Sequence, residues 1–204
     1  MAKPGFSDVE QLLIELIFPF YAIKRDIHVP PYNRRLENDA EHSWSLALVA
    51  CAMAPHLDPK LDIGKVAQMA LVHDLVEVYA GDTSVWKPRM VASKEKREKA
   101  ALHRVKSASK QFPWIYETLE HYETKSSQEA KFVWALDKYM ALFTRYINVN
   151  SGSRYFIRRK MNIATFEKGI SIPRNKARAH MPVSNYYEEL IAKFFNNTDW
   201  FFKA

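Results

Sequence analysis

The stretch Leu71–Thr83, LVHDLVEVYAGDT, decides how this chain is read. Leu71, Val72, Leu75, Val76 and Val78 recur as the apolar side of a helix should, yet His73, Asp74 and Glu77 interrupt the same run. Residues three and four apart share a helical face, so these polar groups form a stripe on an otherwise apolar element. Burying unpaired carboxylates is costly, so something cationic must face them. Gly81 then supplies a helix-ending turn, followed directly by Asp82 and Thr83. A salt-bridge network with lysine or arginine is the plain explanation of such a stripe, and a metal site is the alternative.

Working outward, similar anomalies recur. His42 falls in the first turn of a helix expected from Asn38 or Asp39 to about Ala54, just before the apolar run that starts at Trp44. Asp137 interrupts FVWALDKYM, on the face shared by Ala130, Val133 and Met140, in a helix expected from the capping box Ser126–Glu129 to Asn148. Two histidines and two carboxylates from three helices can converge on one divalent cation, and mixed imidazole and carboxylate donors suit Zn, Mn, Co or Fe.

The remaining segments are expected to be helical too: Asp8–Ile23 with a kink or stop at Pro19, Asp62–Tyr79, Ser93–Gln111, Pro113–Tyr122 and Ser184–Phe195. Residues 29–38, with VPPYN, read as loop, and Val149–Pro182 as a loop-rich basic stretch. No segment alternates with period two, and 204 residues hold only five glycines. The expected fold is therefore all-α, one domain over 1–204, with a core at about 8–148 and a C-terminal extension ending in a helix.

Bulk properties narrow the classes. Half the chain is hydrophobic and 26% is charged, a globular composition. The single cysteine, Cys51, excludes an internal disulfide or a Cys-rich zinc module. No signal sequence or membrane-length apolar run is visible, so a cytoplasmic location is expected, with no membrane partner. The net charge of +7 is concentrated in Lys87–Lys110, with nine basic residues against two acids, and Arg154–Arg178, with eight against one. Glu95 and Glu98 are spaced to pair with lysines, so the first run reads as a solvated helix face and nucleic acid is not an expected partner. Trp44, Trp86, Trp114 and Trp134 read as packing residues, His28, His56 and His180 as surface residues, and the WFF of Trp200–Phe202 as an end that packs on its own domain or a sister subunit.

The order H…HD…D on helices resembles the HD-domain metal-dependent phosphohydrolases, with the small 5′-deoxynucleotidase-like branch the nearest in pattern. The blocks that carry the resemblance are ENDAEHSW (Glu37–Trp44), HDLVEVYAGDT (His73–Thr83) and YETKSSQEAKFVWALDKY (Tyr122–Tyr139). The resemblance implies a helical HD bundle with a metal site between helices, ligated by His42, His73, Asp74 and Asp137. It assigns the chemistry to Glu77 and Asp82, with Asp82 also able to bind the sugar. An arginine upstream of the first ligand binds substrate phosphate in that family, and Arg25 matches it, with Arg34 or Arg35 as alternatives in a longer loop. The implied reaction hydrolyses (deoxy)nucleoside 5′-monophosphates with a divalent ion (Mn, Co, Zn, Fe or Mg), in a homodimer. The alternatives are a triphosphohydrolase or phosphodiesterase, or a nucleotide- or RNA-binding regulator without turnover. His103 and His121 stand where binuclear relatives place two further ligands, but His103 falls in a strongly basic helix and His121 beside a polar loop, so a two-metal site is not expected.

Overall fold

The computed structural model describes residues 3–31, 35–86 and 88–203, side chains at 88–91 excepted. The elements run α1 (Phe6–Leu12), a π turn (Leu13–Ile17), α2 (Phe18–Ala22), β1 (Lys24–His28), β2 (Leu36–Asn38), α3 (Asp39–Leu57), α4 (Ile63–Val72), α5 (Glu77–Ala80), α6 (Pro88–Ala108), α7 (Pro113–Thr124), α8 (Gln128–Asn150), α9 (Tyr155–Arg158), α10 (Ile163–Ala177), α11 (Met181–Phe195) and a 3₁₀ turn (Thr198–Trp200). Among the described residues the protein is all-α apart from the two-stranded ribbon β1–β2. No helix of the described residues is long and apolar enough to cross a membrane.

The chain forms two compact units, Met1–Arg25 with Glu37–Ala130, and Asp26–Leu36 with Lys131–Ala204. In the first, α3 lies along α4, α7 also packs on α4, and α6 packs on α5 and α7. Leu16, Phe20, Val72, Leu75, Val76, Val105, Ile115 and Leu119 belong to one buried cluster. Leu75 and Val76 therefore anchor to the core the turn that carries His73 and Asp74 on one side and Glu77 on the other. The second unit is held by rings: Phe156, Phe166 and Phe194 are wholly buried, and Phe201 stacks on Phe156 with centroids 4.8 Å apart. The aromatic end thus packs on its own unit.

Several local expectations change. The helix expected over Asp62–Tyr79 is interrupted: α4 stops at Val72, and the chain tightens through Leu75 N–H to Val72 O at 3.0 Å and Glu77 N–H to Asp74 O at 2.8 Å. Such i→i+3 bonding brings side chains three apart into eclipse, which sets Asp74 and Glu77 over one another. Lys24–His28, which falls between the helix expected to Ile23 and the loop expected from residue 29, is a strand in which Arg25 and Ile27 are buried. Its period-two pattern is hidden because one inward residue is an arginine. Ile163–Ala177, inside the stretch read as loop, is a helix opened by the Asn162 side chain accepting from Thr165 N–H at 2.9 Å. Its inward side needs only Phe166, Ile170 and Ala177, and Pro173 and the basic residues masked that spacing. Trp44 and Trp114 are exposed rather than core, whereas His180 is buried with its ring edge-on to Phe132 at 5.0 Å.

Candidate functional site

The site begins with a cap. Asn38 accepts from Glu41 N–H at 2.9 Å, and the Glu41 carboxylate accepts from Asn38 N–H at 3.1 Å, a capping box that starts α3. One turn in, Asp39 and His42 fall on the buried face of α3, in line with Leu46, Ala50 and Ala54. Across from it, where α4 gives way to α5, His73 places its ring 5.4 Å from that of His42 and meets Tyr122 edge-on at 5.8 Å. Both histidines are almost wholly buried.

The chemistry of His73 follows from its two ring nitrogens. Nδ1 lies 2.9 Å from the Ala70 carbonyl, which can only accept, so this nitrogen carries the hydrogen. In a neutral ring Nε2 then presents a lone pair, and 3.0 Å from it stands Asp74 Oδ2. Two electron-rich atoms at that separation call for positive charge: the Arg25 guanidinium, 2.9 Å from Asp74 Oδ2, supplies one, and a proton on the ring or a metal ion that both atoms can ligate would supply another. His42 adds a second imidazole, its Nδ1 3.8 Å from Glu37 Oε2. Imidazole nitrogen with carboxylate oxygen is a donor set that fits a divalent transition ion.

Beside the histidines lies a crowd of acids. Asp39, Asp74 and Glu77 each bring a carboxylate oxygen to within 4.8 Å of the others. Asp39 Oδ2 and Glu77 Oε2 are buried without a hydrogen-bond partner among the described residues. Burial, then the Asp74 charge, pushes Asp39 up to about 7 against the pull of Arg25. Burial together with Asp74, Asp39 and Asp82 likewise holds Glu77 well above the ordinary glutamate range, opposed by Lys94.

Two cations and a clamp complete the pocket. The Arg25 guanidinium reaches Asp74 Oδ2 at 2.9 Å, Glu37 Oε2 at 3.3 Å and Asp39 Oδ1 at 3.5 Å, so it is bracketed by three carboxylates. Lys94 Nζ lies 3.9 Å from Glu77 Oε1 and 3.1 Å from Glu98 Oε1. Burial alone would lower the Lys94 ammonium, but Glu77, Glu98 and Asp74 outweigh it and hold it above the usual lysine range. Arg97, one turn along α6, donates to the Ala80 carbonyl and, at 2.7 Å, to Thr83 Oγ1. It thereby ties the Ala80 backbone and the Thr83 side chain on either side of Asp82, where Gly81 adopts φ +74°.

His42, His73, Asp74, Glu77, Asp82 and Arg25 thus belong to one compact unit. Asp137 lies on α8, in the second unit, 3% exposed and ion-paired with Lys138. Arg35 is exposed, and Arg34 lies outside the described residues. His103 and His121 are exposed and, among the described residues, join neither the His42–His73 pair nor the Asp39–Asp74–Glu77 cluster. Four contributors carry no such signal in the sequence: Glu37, Asp39, Lys94 and Arg97. Asp39 reads there as a cap and α6 as a solvated face, although Lys94 and Arg97 share one side of it by their i, i+3 spacing.

Comparison with known proteins gives a consistent pattern. A family model described as HD domain matches residues 22–173. The human protein named 5′-deoxynucleotidase HDDC2 is 32% identical over 110 residues, covering 52% of this chain and 51% of that protein, and its bovine counterpart is 33% identical over 107 residues, covering 50% and 49%. The chain thus spans about half the length of these curated relatives. A solved structure from Magnetospirillum magnetotacticum MS-1, titled a predicted metal-dependent phosphohydrolase, aligns over 97% of this chain and 95% of that one, with TM-score 0.76 and 26% identity. A conserved hypothetical protein from Pyrococcus furiosus, 20% identical with TM-score 0.58 over 94% of this chain and 99% of that one, shares the fold.

Proposed function

This chain belongs to the HD domain family, and we propose that it is a metal-dependent phosphohydrolase that releases phosphate from deoxynucleoside 5′-monophosphates. The observation that carries this reading is the His73 Nε2–Asp74 Oδ2 approach of 3.0 Å beside the His42 ring, two donors arranged for one cation. The names borne by the human relative and by the Magnetospirillum structure support the reaction class and the substrate.

His42, His73 and Asp74 would hold the ion, with Asp137 as the fourth ligand, an assignment supported by the family order of residues and by the burial of its carboxylate. Such an ion, when bound, supplies Lewis acidity towards a phosphoryl oxygen and lowers the pKa of water. The chain's own groups do the rest. Glu77, with one oxygen near Lys94 and the other buried and unpartnered, takes the proton as water oxygen bonds to phosphorus. The P–O5′ bond breaks, and the leaving oxygen receives a proton from Glu77 or from Asp82. Asp82, held between two Arg97 contacts, also stands to bind the sugar hydroxyl. Arg25 holds the phosphate, with its planar fork shared between substrate and the carboxylates it already meets.

The single-domain reading of 1–204 belongs to the same proposal, and the HD match, which runs through 22–173, supports it. A homodimer in the cytoplasm also goes with it, supported by the resemblance of the ENDAEHSW and HDLVEVYAGDT blocks and tested by sedimentation of the purified chain.

The test is phosphate release by metal-stripped protein resupplied with Mn, Co, Zn or Mg in turn. The substrates are deoxy- and ribonucleoside monophosphates, a triphosphate and a cyclic nucleotide. Release confined to monophosphates and lost in Glu77→Gln supports the proposal. Release from the triphosphate or cyclic nucleotide instead replaces the substrate, and metal binding with no release on any substrate replaces the enzyme by a nucleotide-binding regulator.

A further inference from the structure

Lys94 stands apart from the rest of the basic helix. Its neighbours on α6, Glu95 and Lys96, are exposed, as expected for a solvated face. Lys94 instead turns inward: its side chain is 33% exposed, and its ammonium lies between Glu98 Oε1 at 3.1 Å and Glu77 Oε1 at 3.9 Å. The first distance is a charge-assisted hydrogen bond and the second a Coulombic contact. Glu98 follows Lys94 by four residues, so the pair spans one turn of the helix and fixes the lysine's long side chain in a single direction.

Glu77 needs such a partner. It is 3% exposed, and Asp74, Asp39 and Asp82 all repel its charge. Like charges on three sides would drive a loose carboxylate into alternative rotamers, and the α5 turn that carries it is only four residues long. The ammonium engages Oε1, and Oε2 remains buried without a hydrogen-bond partner among the described residues.

We propose that Lys94 is a positioning residue: braced by Glu98, it holds Glu77 through Oε1 and leaves Oε2 as the oxygen that exchanges the proton. This rests on the phosphohydrolase reading of the same site. Lys94 acts through Glu77 and touches no reacting atom. The two residues therefore behave as one unit, and removing the lysine costs nothing once the carboxylate is gone.

The experiment is a double-mutant cycle of Lys94→Met and Glu77→Gln, with Lys94→Arg as the conservative variant and the exposed Lys96→Met as a control for loss of charge on α6. Lys94→Met should lower kcat by about tenfold to a hundredfold, the scale of a mispositioned catalytic group, with KM and bound metal unchanged. Lys94→Arg should restore most of the rate, Lys96→Met should match wild type, and Lys94→Met should have no further effect in the Glu77→Gln background. Wild-type kcat in Lys94→Met, or an equal further loss in that background, overturns the proposal. A rise in KM at constant kcat also overturns it, by making Lys94 a phosphate contact.

If wild type turns over none of the substrates, the functional reading fails but the pairing is still measured. The same cycle, read in the melting temperature of the metal-free proteins, should depart from additivity by about 2–4 °C. Strict additivity would dissolve the pair.

Discussion

Two buried regions of this molecule solve opposite problems. In the second unit, Phe156, Phe166, Phe194 and Phe201 meet ring against ring. In the first, the junction of α4 and α5 gathers Asp39, Asp74 and Glu77 beside two histidines, with Arg25 and Lys94 at the margins. The rings gain from burial through apolar area and edge-to-face packing. The carboxylates lose by it, since desolvation and mutual repulsion both oppose their charge. A fold keeps such a pocket only if the rest of the unit over-determines it, here through Leu75 and Val76 in the core and the Asn38–Glu41 cap. The rings thus stabilise their unit, whereas the carboxylates are a cost that the proposed chemistry would explain.

The largest expected effect is on turnover. Glu77→Gln should cut kcat by about 10²–10⁴-fold, the usual contribution of general acid–base catalysis, while metal content stays at the wild-type level. Asp74→Ala should lose both turnover and metal, read by elemental analysis after dialysis. Equal metal in Asp74→Ala and wild type would remove this residue from the ligand set.

Phe166→Ala should act in the opposite sense. It should cost about 3–5 kcal/mol of stability, seen as a lower denaturant midpoint, and leave metal content per folded molecule unchanged. Loss of metal in that variant would mean that the two regions are not functionally separate.

A third effect is a pH dependence peculiar to the acidic pocket. Asp39 rises from 3.8 in the unfolded chain to about 7 in the metal-free fold, first through burial and then through Asp74. Across that window the native state holds a proton that the unfolded chain has released. Stability is therefore highest at the acid end and falls as pH rises, levelling once the folded group has ionised. Glu77, raised by burial and the same neighbours, adds to the fall. Melting temperatures of metal-free wild type and Asp39→Asn should diverge as pH rises from 4 towards 7, with the amide variant the flatter. Parallel curves would contradict the assignment.

The smallest effect belongs to Arg97→Met, which frees the Ala80–Thr83 segment. If Asp82 contacts the sugar as proposed, discrimination between deoxy- and ribonucleotides should narrow, with metal content unchanged, because Asp82 is then less firmly held.

Much of this was legible in the sequence because the apolar periodicity of α3, α4 and α8 makes His42, His73, Asp74 and Asp137 conspicuous. The break at Val72 was not, since a run such as LVHDLVEVYA has helical spacing whether its bonds go to the third or the fourth residue back. Strand β1 was hidden by Arg25, whose burial depends on Glu37, Asp39 and Asp74, two of them distant in the chain from one another. Lys94 and Arg97 were hidden for the same reason: a lysine facing a carboxylate and a lysine facing water look alike until the partner helix is placed.

In the proposed function, the histidines and carboxylates of α3 and the α4–α5 junction form a metal-dependent phosphate-releasing site. The most direct measurement is phosphate release from deoxynucleoside 5′-monophosphates by metal-stripped protein, before and after resupply of each divalent ion, in wild type and Glu77→Gln. The expected result is no release without metal, release restored by at least one ion, and little or none in Glu77→Gln at equal metal content. Undiminished release from the stripped protein, or from Glu77→Gln, would contradict it.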